Sequence, residues 1–253
     1  MKIKVVPGYY APKLDNIINN DDKIHCVVWP RCNFRCVFCD FWQRDNIVFK
    51  EISLSNFEKV VEHLLPLGNA FKFTGGEPCL NPELFQMLEI VKDQGGICFL
   101  DTNGSMPNKV TKCIDAGLVD VLAVSLKSLE LDKICKTTGI SNKNLCWDNV
   151  CETIAYASAS NTKTIVTKVI YDDFSYNELE AFAKIIRALG DNIYLKINNL
   201  MVNEYNASMR PVSQEKVTNI INTFLSNNKD FIGRIIYIDD KKAVTDINCI
   251  QHY

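Results

Sequence analysis

Apolar residues along the chain gather into short runs, and between successive runs they recur every three or four positions. Residues 24–29 form the first run, continuous enough for a buried strand. Beyond it Phe57, Val60, Val61, Leu64 and Leu65 mark one face of a helix over residues 55–65, which Pro66 stops. Ser53 or Ser55 can cap that helix, because either hydroxyl accepts from an unpaired first-turn amide. Residues 71–74 predict a strand ending at Gly75-Gly76, and residues 82–93 a helix with Leu84, Met87, Leu88 and Val91 on one side. The alternation continues with strands at 97–101, 119–125, 164–170 and 193–197 and helices at 108–116, 149–157, 177–189 and 213–225. A last strand is predicted at 234–238.

About six strand–helix alternations predict an α/β fold with a parallel sheet and right-handed crossovers. In such sheets the chemistry gathers at the carboxyl ends of the strands. Periodicity does not separate a partial barrel from an open, doubly wound sheet. No internal repeat, and no linker rich in Pro, Gly or Ser, breaks the pattern, so residues 1–253 are read as one domain.

Composition narrows the partners more than the fold. A formal charge of -2 supplies no general attraction to nucleic acid or to an anionic membrane, so neither is expected as a partner. No apolar run approaches the ~20 residues that span a bilayer. The first eight residues hold no stretch long enough for a signal peptide, and the expectation is a cytoplasmic protein. Eleven cysteines then need a reason. Disulfides are disfavoured, since cytosol keeps thiols reduced and a chain of this length needs no staples.

Three cysteines lie in Pro30-Arg31-Cys32-Asn33-Phe34-Arg35-Cys36-Val37-Phe38-Cys39-Asp40, spaced C-x3-C-x2-C. One compact loop can aim three thiolates at one centre, and soft thiolates suit an iron–sulfur cluster, zinc or copper(I). A structural zinc site takes a fourth ligand, yet the nearest candidates, His25 and Cys26, fall inside the preceding strand. Three ligands on a four-iron cluster leave one iron open. On the residues alone, a zinc knuckle or a group of buried thiols stays as the alternative, and with it a non-catalytic metal-binding module in place of an enzyme. Polar motifs close the next strands. Thr74-Gly75-Gly76-Glu77-Pro78 allows φ > 0 and close backbone approach, or is a plain turn. Asp101-Thr102-Asn103-Gly104 fits an Asx turn before a helix. In Ser125-Leu126-Lys127 the outer two residues share a face, although Lys127 also fits a solvated helix start.

The cysteine loop resembles the signature of the radical S-adenosylmethionine (SAM) superfamily. The resemblance implies a partial (β/α)6 TIM-like barrel of parallel strands, with a core at about residues 24–201 and an extension over 202–253. It implies a [4Fe-4S] cluster on Cys32, Cys36 and Cys39, whose open iron takes the amino and carboxylate groups of SAM. Phe38 then lies against the adenine, and Thr74, Gly75, Gly76 and Glu77 contact the cofactor. Asp101, Asn103, Ser125, Lys127 and Asn198 are further cofactor-binding candidates. One electron, from a reductant such as flavodoxin or ferredoxin, would cleave the sulfonium to methionine and a 5′-deoxyadenosyl radical that abstracts hydrogen.

Asp101-Thr102-Asn103-Gly104 is also similar to a motif of the activating enzymes for glycyl-radical enzymes, including those for pyruvate formate-lyase and anaerobic ribonucleotide reductase. Gly117-Leu118-Val119-Asp120 and Thr138-Gly139-Ile140-Ser141-Asn142 resemble that subgroup too. It implies a protein or peptide substrate, first for glycyl-radical activation and second for epimerisation or cross-linking of a peptide. Two departures weaken the subgroup assignment. Ser125-Leu126-Lys127 stands where Asp-x-Lys is usual, and Asn198-Asn199 where a histidine is common, the chain's histidines being His25, His63 and His252. Arg31, Arg35 and Lys168 are weaker candidates for cluster or substrate contacts. Cys79, Cys98, Cys113, Cys135, Cys146, Cys151 and Cys249 show no second compact set. Cys249 is marked as a thiol that could donate hydrogen or bind metal near the barrel mouth. No catalytic acid or base is assigned.

Overall fold

The structure, a computed structural model, describes residues 1–10, 23–39, 41–43, 47–239 and 250–252. Its described strands form one sheet. β1 (Lys2–Tyr10) runs antiparallel to β2 (Lys23–Trp29), and the short β3 (Lys50–Glu51) runs antiparallel to β1. From β2 onward every pairing is parallel, through β4 (Ala70–Gly75), β5 (Ile97–Thr102), β6 (Val121–Ser125) and β7 (Lys163–Ile170) to β8 (Ile193–Asn199). β9 (Ile235–Ile238) and β10 (Ile250–His252) extend the far edge. In this parallel series each strand lies beside its successor in chain order. A doubly wound sheet would reverse that order at a switch point, so the topology is that of a barrel wall. The wall stays open, because its two edges are β3 and β10.

The predicted alternation is present in β2 and β4 to β8. Helices α1 (Leu54–Leu64), α2 (Leu84–Asp93), α3 (Pro107–Asp115), α6 (Asp148–Ser158), α7 (Tyr176–Leu189) and α8 (Gln214–Asn227) follow successive strands. Ser53 caps α1 by accepting from the Asn56 amide at 3.2 Å. Between α3 and α6 lie α4 (Leu131–Thr138) and α5 (Lys143–Cys146), which the hydrophobic pattern does not predict. α4 buries only Ile134, Thr137 and Thr138, too few apolar positions to register as a periodic face. β1 escapes prediction for a related reason. It carries Pro7 at a register irregularity of an outer strand, where proline is tolerated.

Strand side chains alternate between two environments. Val27, Phe73, Leu100, Val124, Val166 and Leu195 face the helices and join Phe57, Met87, Val150, Phe182 and Phe224 in the main core. Each large apolar side chain buried there contributes about 1.5–3 kcal/mol. The alternate positions face the concave side. Ile24, Ala70, Phe99, Val121, Ala123 and Ile165 pack together near the amino ends of their strands and close the floor of a lumen. Above that floor the same faces carry Lys72, Asp101 and Lys196, then Thr74, Ser125, Thr167 and Asn198.

One sequence expectation fails on this parity. Lys168 stands between Val166 and Ile170, so it faces the helix layer rather than the cluster loop or the lumen. Its ammonium pairs with Glu178 of α7 at 3.2 Å and sits over the Phe182 ring at 5.6 Å.

Candidate functional site

The cysteine loop leaves the carboxyl end of β2 and is held from three sides. α4 supplies the first hold: the Arg35 amide donates to Thr138 O at 2.7 Å and the Val37 amide to Thr137 O at 3.0 Å. Gly139 ends α4 at φ +67, where a Cβ would lie 2.9 Å from the Arg35 Cβ and 3.0 Å from its carbonyl oxygen. Within the loop, Arg35 Nη1 donates to Cys32 O at 2.7 Å and Phe34 O at 2.9 Å. Arg35 thus braces the loop backbone, where a cluster or substrate contact was expected of it. Arg31 is exposed, and its contribution is its carbonyl.

The turn after β4 is the second hold. Gly76 N donates to Trp29 O at 2.8 Å, and Glu77 N to Arg31 O at 2.7 Å. Gly75 adopts φ +103, and a Cβ on Gly76 would lie 2.1 Å from Arg31 O. Both glycines therefore let the turn lie directly on the backbone of the cysteine loop. Gly76→Ala should push that loop outward while sparing the main core. We expect iron incorporation to fall at least about tenfold with the far-ultraviolet circular dichroism unchanged, and iron and sulfide analysis of reconstituted protein checks it.

Glu77 links the turn to the third hold. Its carboxylate is fully buried and accepts from Cys79 N at 2.9 Å, Thr102 Oγ1 at 2.7 Å and Asn103 N at 2.6 Å. Burial pushes its pKa up, against the pull of those three donors. The side chain that the sequence placed at the cofactor is spent on joining the ends of β4 and β5. What the motif offers the site is backbone. Asn103 then carries the tie forward: its Nδ2 donates to Asn33 Oδ1 at 2.8 Å, and its Oδ1 accepts from Ser105 N at 2.9 Å. Asn33 in turn donates to Ser105 Oγ at 2.8 Å. The Asx turn is real, and it also clamps the residue following Cys32. Asn33 and Ser105 were not singled out in the sequence. Their adjacency to Cys32 and Gly104 was the available signal.

These holds pack the three cysteines into one apolar nest with Phe34, Phe38 and Ile134. α4 and α5 fold over it and bring Cys135 and Cys146 to the same nest. The sequence reading left those two scattered, because their helices were not predicted. Burial raises the Cys36 thiol to about 11, opposed by the charge of Lys127. Burial raises Cys32 as well, while the Phe34 amide, 3.3 Å from its sulfur, and Lys127 draw it down. Metal must therefore displace protons from these thiols.

Above the nest, Lys127 Nζ lies 5.5 Å over the Phe38 ring, and the Tyr171 ring stands 6.0 Å from Phe38. Asn206 Nδ2 donates to Phe38 O at 3.2 Å. Ser125 and Asn198 face the lumen. Asn198 Oδ1 is buried with no hydrogen-bond partner among the described residues. Asn199, its neighbour, points the opposite way and locks a turn, donating to Val212 O at 2.7 Å and accepting from Val212 N at 3.0 Å. Asp101 lies deeper, paired with Lys72 at 2.9 Å and accepting from Thr74 Oγ1 at 3.2 Å.

The donor set fits a four-iron cluster held by three cysteines. Such a cluster takes one protein ligand per iron, so its thiolates need not meet on a single ion. Among the described residues, no three Cys, His, Asp or Glu side chains are placed to grip one ion. Amide donors aimed at a thiolate, here Phe34 N and Asn103 Nδ2 at 3.9 Å from Cys32 Sγ, stabilise bound sulfur. The unpartnered Asn198 oxygen suits a ligand that brings a hydroxyl or amine into the lumen. Cys249 and Asp40 lie outside the described residues. No helix among the described residues is long and apolar enough to cross a membrane.

Comparison with known proteins agrees with this geometry. The description of the radical SAM superfamily matches residues 26–186. Over 197 residues the chain is 26% identical to a protein of Methanocaldococcus jannaschii provisionally named a glycyl-radical enzyme activating enzyme, covering 72% of this chain and 71% of that one. Over 154 residues it is 26% identical to a Thermococcus kodakarensis protein provisionally named a GTP 3',8-cyclase, covering 60% of this chain. It spans about half the length of that relative, 50%. Among solved structures, SuiB of Streptococcus suis bound to its precursor peptide SuiA matches with a TM-score of 0.64 at 15% identity, over 81% of this chain and 46% of that one. At that identity the likeness is one of fold alone.

Proposed function

The chain belongs to the radical SAM superfamily, and from that premise we propose that it abstracts hydrogen from a protein substrate, foremost to install a glycyl radical on a partner enzyme. Members of the family use a [4Fe-4S] cluster and SAM. When bound, the pair supplies reductive cleavage of the sulfonium and, from it, a carbon radical strong enough to take hydrogen from a C–H bond. Cys32, Cys36 and Cys39 would hold the cluster. The Gly75–Gly76 backbone, Ser125, Lys127 and Asn198 would orient SAM, with Phe38 beside the adenine. Thr74 and Asp101 line the chamber below. Glu77 and Asn103 act through the loop they clamp, as positioning residues.

One observation carries the reading: a three-thiolate loop clamped at the carboxyl ends of β2, β4 and β5, over an open lumen. The activase assignment draws on the Asp101–Gly104 motif and on the name of the Methanocaldococcus relative. A second reading, side-chain modification of a peptide, is favoured by the fold shared with SuiB. In either case residues 1–253 act as one domain, and a small reductant such as flavodoxin or ferredoxin supplies the electron.

The test is anaerobic reconstitution with SAM and dithionite. We expect 5′-deoxyadenosine from the native chain and none from Cys36→Ala. A persistent glycyl radical signal on a co-purified partner would establish the activase. Deoxyadenosine formation coupled to a mass change in a peptide, with no such signal, would put the second reading in its place.

A further inference from the structure

Asn206 lies in the loop that follows β8, with 3% of its surface exposed, and both polar atoms of its amide are used. Its Oδ1 accepts from Asn203 N at 2.9 Å, and its Nδ2 donates to Met201 O at 3.1 Å and to Phe38 O at 3.2 Å. The first two bonds close the loop on itself. Asn203 supports the same turn, donating from Nδ2 to Met201 O at 3.3 Å and accepting from Tyr205 N at 2.9 Å. The bond to Phe38 O does nothing for the loop. It reaches 168 positions back along the chain, to the residue before Cys39.

Phe38 needs such a tie. The residues beside it are fixed from elsewhere, the Val37 amide by Thr137 O and the Cys39 amide by Cys36 O, both at 3.0 Å. Among the described residues the Phe38 backbone makes no hydrogen bond except the one from Asn206. Its ring leans on Lys127, two residues past β6, and on Tyr171, directly after β7. The cysteine loop thus leaves β2, and its aromatic is received at the ends of β6, β7 and β8 on the far wall. No strand ladder joins β2 to β8, because the wall is open. A bond between their loops is what sets the two ends of the wall against each other at the mouth.

We propose that Asn206 is a positioning residue for SAM, holding Phe38 from the far wall so that its ring meets the adenine in one place. The inference rests on reading Cys32, Cys36 and Cys39 as the cluster ligands and Phe38 as the neighbour of the adenine. Asn206 acts through Phe38. Removing its Nδ2 frees the Phe38 backbone while α4 still holds Arg35 and Val37, so SAM should bind more loosely on an intact cluster. One neutral hydrogen bond of this kind corresponds to about two- to tenfold in affinity.

The experiment compares anaerobically reconstituted native protein with Asn206→Ala and Asn206→Asp, and takes Asn203→Ala as the control. Asn206→Asp keeps the side-chain shape and the bond from Asn203 N but has no N–H to give. Asn203→Ala loosens the same turn and leaves Asn206 on Phe38 O. Hydrogen–deuterium exchange without SAM reads the tie itself, and equilibrium dialysis with SAM reads its consequence. We expect both Asn206 variants to speed exchange of the Cys39 amide and to raise the Kd of SAM, each about fivefold. Iron and sulfide content should match the native protein, and in turnover KM for SAM should rise while kcat at saturation holds. Asn203→Ala should speed exchange at Tyr205 and leave Cys39 and the Kd as they are. The proposal is overturned if the Asn206 variants leave either Cys39 exchange or SAM binding unchanged. It is also overturned if Asn203→Ala matches them in both, or if iron is lost along with SAM affinity. Native protein that binds no SAM would sink the radical SAM reading instead, and the exchange data would still decide whether Asn206 fixes Phe38.

Discussion

Cys36→Ala is expected to abolish SAM cleavage, a loss of at least about a thousandfold or ~4 kcal/mol of barrier, in protein that remains folded. Cys36 is the middle of the three proposed ligands and the most deeply buried of them. Phe34, Ile134 and Cys146 surround it. Alanine there removes the one sulfur whose proton burial holds to about 11 until metal displaces it. The structural cost is small by comparison, about 1 kcal/mol for one buried sulfur. Iron content and deoxyadenosine should therefore collapse together while the urea midpoint shifts little. Full SAM cleavage by a correctly folded Cys36→Ala protein would remove Cys36 from the ligand set.

Glu77→Gln is expected to be the most damaging substitution among the clamping residues, at about 3 kcal/mol of stability. The native carboxylate accepts three donors in full burial. An amide in its place turns an N–H toward one of them, leaving buried donors facing each other at about 1–3 kcal/mol. The consequence travels along the chain of contacts from Glu77 through Asn103 to Asn33, so cluster retention should fall with stability. The pH dependence has a definite sign. Burial raises the folded pKa of Glu77 above its unfolded value, so its stabilisation is fully present below the ordinary carboxylate range. It is lost as pH rises through the folded value. The stability gap between native protein and Glu77→Gln should thus be widest below the ordinary carboxylate range and narrow as pH rises through the folded value. Urea unfolding at several pH values measures it, and a gap that widens with pH would mean that the three donors outweigh burial.

The amino-acid sequence by itself determined the cluster loop and the parallel architecture. Both are local properties: thiol spacing is written in eleven consecutive residues, and strand–helix alternation in the change of hydrophobic period. It also placed Thr74, Asp101, Ser125 and Asn198 at or near strand ends. Tertiary structure alone decided which way the side chains act. Lys168 and Asn199 turned to the helix face because strand parity, fixed by the core, set Val166 and Ile197 there. Glu77 is buried beneath the site because Gly75 and Gly76 bring its turn onto Trp29 and Arg31, a contact between segments over forty residues apart. α4 carries too little apolar periodicity to be seen in isolation, since it is stabilised by covering the cysteine loop. Barrel order, likewise, is a matter of which strand neighbours which. The same is true of Lys72, Asp101 and Lys196, ordinary residues in three separate strands whose charges only the curvature of the open wall around one lumen sets against each other.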